Sequence, residues 1–321
     1  METYLIQYGR KCLNRALIAA TLFHCSGAQA QLFRAYLASY GSDANPCTLA
    51  SPCRLLPAAL TAVAADGEIW MLDSANFNTG TVNVTKSVAL LAIPGEIGSV
   101  LSQASSPAIS ITAPGVNVKL RNLAIVNNAN NPGSDGISVS AGSVNLTVER
   151  CLIANTPGNG ISVLNAAKVS VSDSVVRNTE DGVYARGGAM VDVSRVAFSG
   201  IRTIAVHADG SVAGTTSQIT VSDSNFASNN TGAYAYSGSS TATARITVTR
   251  SSFTTGGYGV ASGVAVSGAI AIVSVSNSLL ASLTFGFFQN GAGAVTESFG
   301  NNTVRNNTND VSGTLTTASS M

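Results

Sequence analysis

Charged and aromatic residues are both scarce in this chain, and each shortage excludes a class of protein. Charged residues make up 10% of the 321 residues, whereas an average domain has about 25%. The sequence therefore excludes a coiled coil, a helical bundle and a highly charged disordered tail. The formal net charge is +1 and no basic stripe occurs, which excludes a nucleic-acid-binding protein. Aromatic residues amount to 6%, and Trp70 is the single tryptophan.

The first thirty residues have the pattern of a signal peptide. Three basic residues, Arg10, Lys11 and Arg15, precede a short apolar run at 16–23, and Ala28-Gln29-Ala30 is a small-x-small cleavage site. The apolar run is shorter than the roughly 20 residues that a membrane span requires. We therefore predict a signal peptide over 1–30 and an exported protein, secreted or periplasmic, with no membrane insertion after cleavage.

Export determines how the remaining cysteine and histidine residues are interpreted. Cys47 and Cys53 are separated by five residues, and in an oxidising compartment they are predicted to form a disulfide that closes a small loop. Cys151 lies inside a repeat and is predicted to be a buried small apolar residue. His207 is the one histidine that follows the predicted signal peptide, so we expect no Ser–His–Asp triad.

A repeat of alternating apolar and polar residues dominates the sequence from Val118 onward, at spacings of 22 to 28 residues. Its units begin at Val118, Leu146, Val169, Val191, Ile219, Ile246, Val273 and, less regularly, Glu297. A second apolar segment follows in each unit, at Gly136, Gly160, Gly182, Thr203, Gly232, Gly259 and Gly286. Period-2 alternation of Val and Ile with Ser and Thr predicts short strands, and units of this length predict solenoid coils. We therefore predict an all-β fold, a single-stranded right-handed parallel β-helix over 69–311.

The two ends of the predicted solenoid differ in composition. Residues 31–68 are predicted to form an N-terminal cap, because an open coil exposes apolar side chains and unpaired backbone. Within this cap, Ser51 to Ala65 has the pattern of an amphipathic helix that Asp66-Gly67 would end, and the disulfide loop would hold it in place. Residues 312–321 are rich in Ser and Thr and are predicted to be a flexible tail.

Both ends also carry motifs that are similar to those of a known family. GSDANPC at Gly41, SPCRLLPAAL at Ser51 and GNNTVRNNTNDVSGTL at Gly300 resemble the N-terminal segment and last coil of secreted bacterial right-handed β-helix repeat proteins of the pectin-lyase-like superfamily. This resemblance implies the fold and secretion. Enzymes of the superfamily use clustered acidic calcium ligands or opposed carboxylates. Here NTEDG at Asn178 matches only part of a polygalacturonase motif and has no D-D, G-H-G or R-I-K partner.

Superposing the repeats produces a first column of polar residues, four positions after each unit begins. It consists of Asn122, Arg150, Asp173, Arg195, Asp223, Arg250, Asn277 and Asn301. Because the charges alternate in sign, each would lie near two opposite charges on neighbouring coils. We predict a salt-bridge ladder that fixes the register of the coils. The functional alternative is a track for an ion or a substrate.

A second column precedes the turn glycines and contains Asp135, Asn159 and Asp181. Stacked oxygen ligands of this kind are candidates for binding calcium, which takes six to eight oxygens. Asp and Asn before Gly are also ordinary turn residues, and we favour that structural role. The sequence therefore predicts no required cofactor, with calcium as the alternative.

A third column groups aromatic residues with polar ones on the outer face of the second strand. If the first and third residues after the turn face inward, the second and fourth face outward. The outward residues are then Tyr184 and Arg186, His207, Tyr234 and Tyr236, with Phe288 and Asn290 farther along. Aromatic rings beside hydrogen-bonding groups suit flat binding to sugar rings, so we predict a ligand-binding face here. The alternative is the ordinary enrichment of Tyr in strands.

These features favour a non-catalytic protein, an extracellular or envelope scaffold whose lateral face binds carbohydrate or a surface protein. The alternative is a polysaccharide lyase or glycoside hydrolase acting on an acidic polysaccharide. In that case Arg186, His207 and Asp181 are the candidate acid and base. A third hypothesis is a purely structural subunit of a larger assembly. The sequence specifies no oligomeric state.

Overall fold

The computed structural model describes residues 31–318, which form a parallel β-solenoid of about 10 turns. This confirms the predicted parallel β-helix. Each complete coil contributes one strand to each of three lateral sheets, and the apolar side chains of all three sheets point into one continuous core. One helix is present in the described part of the chain, α1 (Leu56–Ala62).

Sheet 1 collects the first strand of each repeat. Its strands, in order, are β1 (Leu32–Leu37), β2 (Val63–Met71), β5 (Val88–Ala92), β8 (Asn117–Arg121), β11 (Asn145–Glu149), β14 (Lys168–Ser172), β17 (Met190–Ser194), β20 (Thr216–Ser222), β23 (Thr243–Thr249), β25 (Ile270–Ser276), β27 (Ala294–Ser298) and β30 (Leu315–Thr317).

Sheets 2 and 3 collect the next two strands of each coil. Sheet 2 contains β3 (Ala75–Asn76), β6 (Gly98–Ser102), β9 (Leu123–Asn127), β12 (Leu152–Ala154), β15 (Val175–Arg177), β18 (Ala197–Ser199), β21 (Asn225–Ala227) and β28 (Thr303–Arg305). Sheet 3 contains β4 (Val82–Val84), β7 (Ile109–Ile111), β10 (Ile137–Val139), β13 (Ile161–Val163), β16 (Val183–Arg186), β19 (Ile204–Asp209), β22 (Thr231–Ser237) and β29 (Asn309–Ser312). Two long strands, β24 (Ser252–Val264) and β26 (Leu279–Asn290), run through both sheets.

The first polar column forms the corner between sheets 1 and 2. Its members from Asn122 to Asn277 have positive φ angles between 45° and 57°. One left-handed residue redirects the chain from one sheet into the next, and Asn and Asp adopt this conformation more readily than other L-residues. In the last coil, Gly300 at φ 75° takes the left-handed conformation in place of Asn301.

The predicted salt-bridge ladder along this corner is formed in part. Arg195 makes two bonds to Asp173, at 2.6 and 2.8 Å, and Arg250 makes two to Asp223, at 2.7 and 2.9 Å. Arg150, however, pairs with Glu149 of its own coil at 3.4 Å. Two of the predicted pairs between coils are therefore present, each with a guanidinium that binds one carboxylate through two bonds, whereas Arg150 binds the adjacent carboxylate instead.

Aromatic and hydroxyl side chains stack in register inside the solenoid. The rings of Phe198, Phe226 and Phe253 are parallel within 10°, with centroids 4.8 and 4.4 Å apart. Beside them, the buried Ser224 and Ser251 each accept a bond from the backbone amide of the preceding coil, at 3.2 Å. Cys151 is buried in the core, as predicted.

The N-terminal helix is shorter than the predicted 51–65. Strand β2 begins at Val63 and continues through Asp66 and Gly67, which were expected to end the helix. Asp66 has φ 60°, so a left-handed residue interrupts this strand without ending it. The alternation of buried and partly exposed residues that starts at Gly67 matches a strand, and pairing with β1 outweighs the helical pattern.

The disulfide loop closes the first edge of sheet 1. Cys47 and Cys53 are bonded as predicted, with Cα atoms 4.6 Å apart. The Tyr36 amide donates to the Cys47 carbonyl at 2.8 Å, and the Cys53 amide donates to the Tyr36 carbonyl at 2.9 Å. These bonds satisfy the backbone of the outermost strand, which would otherwise offer an open edge.

Two further predictions concern the chain termini and the membrane. The predicted signal peptide, 1–30, lies outside the described residues. Part of the predicted flexible tail is ordered, since β29 ends at Ser312 and β30 spans Leu315–Thr317 at the end of sheet 1. Across residues 31–318, no helix is both long and apolar enough to cross a bilayer.

Candidate functional site

The third column forms a compact cluster on the outer side of sheet 3, across β16, β19 and β22. Two rows run along the solenoid there. Tyr184, His207 and Tyr234 are register partners in one row, and Arg186, Asp209 and Tyr236 are register partners in the other. The structure thus brings together all five residues that the sequence placed on this face. We call this cluster the sheet 3 face.

The register of the middle coil differs from the one expected. The sequence aligned the segment at Thr203 with that at Gly182, which would set His207 opposite Arg186. The structure instead pairs Val206 with Val183, so His207 lies opposite Tyr184 and Asp209 lies opposite Arg186. Sequence reasoning missed Asp209 for this reason. Extending the period-2 alternation by two residues beyond His207 would have found it.

The rings of the first row lie edge-on or stacked against one another. The ring centroids of Tyr184 and His207 are 5.1 Å apart in an edge-to-face arrangement, and those of His207 and Tyr234 are 5.8 Å apart at an interplanar angle of 23°. Tyr236 joins the cluster at 5.9 Å from Tyr234. Spacings of 4.5–7 Å are favourable for aromatic pairs, so the row is held in a fixed arrangement.

Two buried carboxylates hold side chains of the first row in place. Asp181, 7% exposed, binds Nδ1 of His207 through Oδ2 at 2.9 Å and accepts the Ile204 amide through Oδ1 at 3.0 Å. Asp209, also 7% exposed, accepts the Tyr184 hydroxyl and the Ser211 amide. Each carboxylate therefore fixes one aromatic side chain of the face and is itself held by a backbone amide.

Two nitrogen atoms of the face have no hydrogen-bond partner among residues 31–318, namely Nε of Arg186 and Nε2 of His207. The buried Nε of Arg186 forms an ion pair with Oδ2 of Asp209 at 3.7 Å, a distance too long for a hydrogen bond. The side chain as a whole is 43% exposed, so its exposed part can meet an anionic group from solution. Nε2 of His207 is enclosed by its neighbours, so it does not reach solvent in this arrangement.

The phenols of the face remain protonated near neutral pH. Burial raises the pKa of Tyr184, and its bond to Asp209 raises it further. Burial likewise raises the pKa of Tyr234. Both hydroxyls are thus uncharged hydrogen-bonding groups, which disfavours Tyr184 as a general base.

Tyr234 extends along the surface toward the next coil, over Gly263. A β-carbon built on Gly263 would lie 2.4 Å from the Tyr234 hydroxyl oxygen and 3.2 Å from two of its ring carbons. The Tyr234 phenol can therefore occupy this position only because residue 263 has no side chain. This close approach, and not backbone conformation, is the reason that glycine fits here.

The second column does not have the character of a calcium site. The Asp135 carboxylate accepts the Asn159 amide at 2.8 Å, and both oxygens of Asp181 already have partners. Burial raises the pKa of Asp135, which disfavours the charged form that a cation requires. In the described part of the chain, no three His, Cys, Asp or Glu side chains cluster as metal ligands. The carboxylate oxygens of this column are engaged in hydrogen bonds between neighbouring coils.

The raised pKa of Asp135 predicts a pH-dependent effect on stability. The folded state favours the protonated carboxyl, so the contribution of Asp135 to stability falls as the pH rises from the ordinary pKa of 3.8 through the raised pKa of the folded state. Asp135→Asn removes this loss and keeps an acceptor for the Asn159 amide. We expect a higher melting temperature than wild type at pH 7 and no such advantage at pH 3. Asp192→Asn, on an exposed side chain of β17, is the control; an equal advantage at both pH values would contradict the prediction.

A separate groove of about 680 Å³ lies far from these rings, at the corner between sheets 1 and 2. It surrounds the Arg250–Asp223 pair and is lined by Ser, Asn and Thr side chains with one Leu. This is the place where the sequence offered an ion or substrate track as an alternative. The groove contains no aromatic residue, so it lacks a platform for a sugar ring, and the sheet 3 face remains the better candidate.

Comparison with known proteins identifies the fold. No family model and no curated protein sequence matches the chain. Among solved structures, the chain is similar to pectate lyase Pel9A, with a TM-score of 0.53 and 15% identity over 89% of this chain and 80% of that one. It is similar to an alginate lyase from Paenibacillus sp., with a TM-score of 0.54 and 12% identity over 89% and 98% of the two chains.

A pectin methylesterase from carrot also matches, with a TM-score of 0.50 and 14% identity over 84% of this chain and 85% of that one. The chain has the pectin-lyase-like β-helix fold. Sequence identities this low show the fold alone. The function of the chain has to be argued from its own residues.

Proposed function

We propose that the sheet 3 face binds polysaccharide. The observation that carries the proposal is the row of half-buried rings, Tyr184, His207 and Tyr234, on consecutive coils with Arg186 and Tyr236 beside it. Half-buried aromatic side chains present apolar surface to a ligand. They lose little side-chain entropy on binding, because packing already fixes them. Neighbouring hydroxyl and guanidinium groups supply the hydrogen bonds that sugar hydroxyls need.

Arg186 favours an acidic polysaccharide among the possible ligands. A guanidinium binds a carboxylate through two parallel bonds, and such charge-assisted bonds are about twice as strong as neutral ones. The side chain of Arg186 is 43% exposed, and its ion pair with Asp209, at 3.7 Å, is too long for a hydrogen bond. Two proteins with this fold are a pectate lyase and an alginate lyase, which supports the same ligand class.

Catalysis on an acidic polysaccharide, as a lyase or a glycoside hydrolase, is the second candidate function. The pairing of His207 with Asp181 favours it, because a carboxylate that fixes one imidazole nitrogen leaves the other as a possible base. Nε2 of His207 is nevertheless enclosed, and the pKa of Tyr184 is raised. Neither group is placed to accept a substrate proton, so the geometry supports binding better than turnover.

We further propose that the protein is exported. The Cys47–Cys53 disulfide supports this location, because disulfides persist in oxidising compartments. An extracellular or envelope scaffold that holds polysaccharide through one lateral face is the role that combines these proposals. A surface protein as the partner of this face is the alternative ligand.

A glycan array tests the binding proposal. We expect the exported chain, residues 31–321, to bind acidic polysaccharides, and the triple variant with Tyr184, Tyr234 and Tyr236 changed to Ala to lose that binding. Tyr40→Ala, on an exposed side chain of the N-terminal cap, is the matched control and should bind like wild type. Equal binding by the triple variant, with its melting temperature intact, would refute the proposal. Incubation with each bound glycan then tests for shortened or unsaturated products, which would favour the enzyme.

A further inference from the structure

We infer that the sheet 3 face continues into an apolar subsite, formed by Tyr258, Phe285 and Phe288, which binds an acyl or aromatic ester group carried by the polysaccharide. This inference rests on the proposed function, because it assigns a chemical feature to the ligand of the same face. It concerns residues of β24 and β26, two coils beyond the polar cluster.

The three rings form a closed cluster on the outer surface. Tyr258 and Phe285 are register partners with parallel rings 5.0 Å apart. Phe288 meets both of them edge-on, at 5.0 Å from Tyr258 and 5.6 Å from Phe285. All three side chains are half-buried, in contrast to the fully buried Phe287 next to them. Aromatic area thus remains in contact with solvent at this place.

One member of the cluster, Phe288, lies on the same row as the polar residues, whereas Tyr258 and Phe285 are in register with Thr231. Tyr234 is the register partner of Ala261, and Ala261 is the register partner of Phe288. Four coil steps separate Tyr184 from Phe288, which at about 4.8 Å per step gives roughly 19 Å. Between Tyr234 and Phe288 the row contains only the small residue Ala261, and Gly263 follows Tyr236 on the neighbouring row. A ligand lying along the solenoid axis can therefore contact both parts of the face.

The two parts differ in chemistry. The polar part contains Arg186, His207, Asp181 and Asp209, whereas the sequence from Ser251 to Thr296 has no charged residue. An unsubstituted acidic sugar has no basic partner on strands β24 and β26, and the one charged residue of the paired strand β29 is the acidic Asp310. An acyl chain or an aromatic ester gains free energy there by leaving water, and rings add edge-to-face contacts. The face is thus complementary to a chain that carries both a carboxylate and an apolar ester.

Matched pairs of glycans test this inference. The probes are acidic polysaccharides with natural acetyl or feruloyl esters, each compared with the same material after saponification. We expect wild type to bind the esterified form at least about tenfold more tightly, equivalent to about 1.4 kcal/mol. Phe288→Ser should abolish that preference and leave the affinity for the saponified form unchanged. Phe288→Leu keeps an apolar side chain and should retain part of the preference. That result would show that the loss in Phe288→Ser is not caused by misfolding.

Each alternative outcome has a distinct meaning. Equal binding of both forms by wild type would overturn the apolar subsite and leave the proposed function standing. An ester preference that survives in both Phe288 variants would show that the ester group does not bind at Phe288. Binding of neither form would refute the proposed function, and the inference with it. Phe33→Ala, on an exposed ring of the N-terminal cap, is the control and should match wild type in every arm.

Discussion

Phe226→Ala is expected to lower the free energy of unfolding by about 3–5 kcal/mol, the usual range for deleting a buried phenyl ring. Phe226 is the middle ring of the stack formed with Phe198 and Phe253, and it is 1% exposed. Removing the Phe226 ring leaves a cavity, and Phe198 and Phe253 each lose their stacking contact with it. The neighbouring coils cannot collapse into the space, because parallel backbone pairing fixes their separation.

Urea denaturation followed by circular dichroism measures this loss. Phe33→Ala is the matched control, because that ring is 63% exposed, and changes at such positions are usually within about 0.5 kcal/mol. A loss below about 1 kcal/mol for Phe226→Ala would show that the stack is not a main source of stability. Amide exchange should locate the loosened region in the coils around β21, since each coil of a solenoid contacts mainly its neighbours.

Gly232→Ala is expected to destabilise the protein by about 1–3 kcal/mol, although it adds only one methyl group. A β-carbon at this position would lie 2.4 Å from a ring carbon of Phe253 and 2.5 Å from the Gly259 carbonyl oxygen. Neither neighbour can move freely, because one belongs to the phenylalanine stack and the other to the backbone of the next coil. The glycine is thus required by close packing between coils.

Ala205 provides the control for this prediction, because it occupies the register position equivalent to Gly232 on the preceding coil. Ala205→Gly should cost only about 0.5–1 kcal/mol, the ordinary penalty of glycine in a strand. Thermal denaturation of the two variants side by side measures the difference. A Gly232→Ala protein as stable as wild type would contradict the proposed contact between coils.

The fold could be predicted from sequence because the same pattern of apolar and polar residues is repeated in every coil. Units that begin at Val118, Leu146 and Val169 supply the same inward pair of apolar residues, and the structure places those pairs in register. One ambiguous unit cannot change a pattern that its neighbours share. The N-terminal cap has no such repetition, and there the helix prediction extended into β2.

The site was harder to predict because it depends on register between coils. The segment at Thr203 aligned with its neighbours when shifted by two residues, and period-2 alternation is unchanged by such a shift. His207 was therefore placed on the right face but at the wrong position, and Asp209 was missed. The ladder at the corner was predicted only in part for a related reason, since sequence does not show which carboxylate a guanidinium selects: Arg195 binds Asp173 as predicted, whereas Arg150 binds Glu149.

Backbone pairing and buried hydrogen bonds together hold the sheet 3 face in a fixed arrangement. Parallel pairing sets Tyr184, His207 and Tyr234 on consecutive coils, and buried carboxylates hold the first two of these rings through hydrogen bonds. The outer side is left with fixed rings and one partly exposed guanidinium. A rigid row of this kind is preorganised for a ligand of matching repeat, because little side-chain entropy remains to be lost on binding.

A crystal structure of the protein with an oligosaccharide taken from the array would show where the sugar binds. We expect sugar rings against Tyr184 and Tyr234, with an anionic or polar group of the ligand at Arg186. Sugar bound instead in the corner groove around Arg250 and Asp223, with the sheet 3 face untouched, would contradict this expectation.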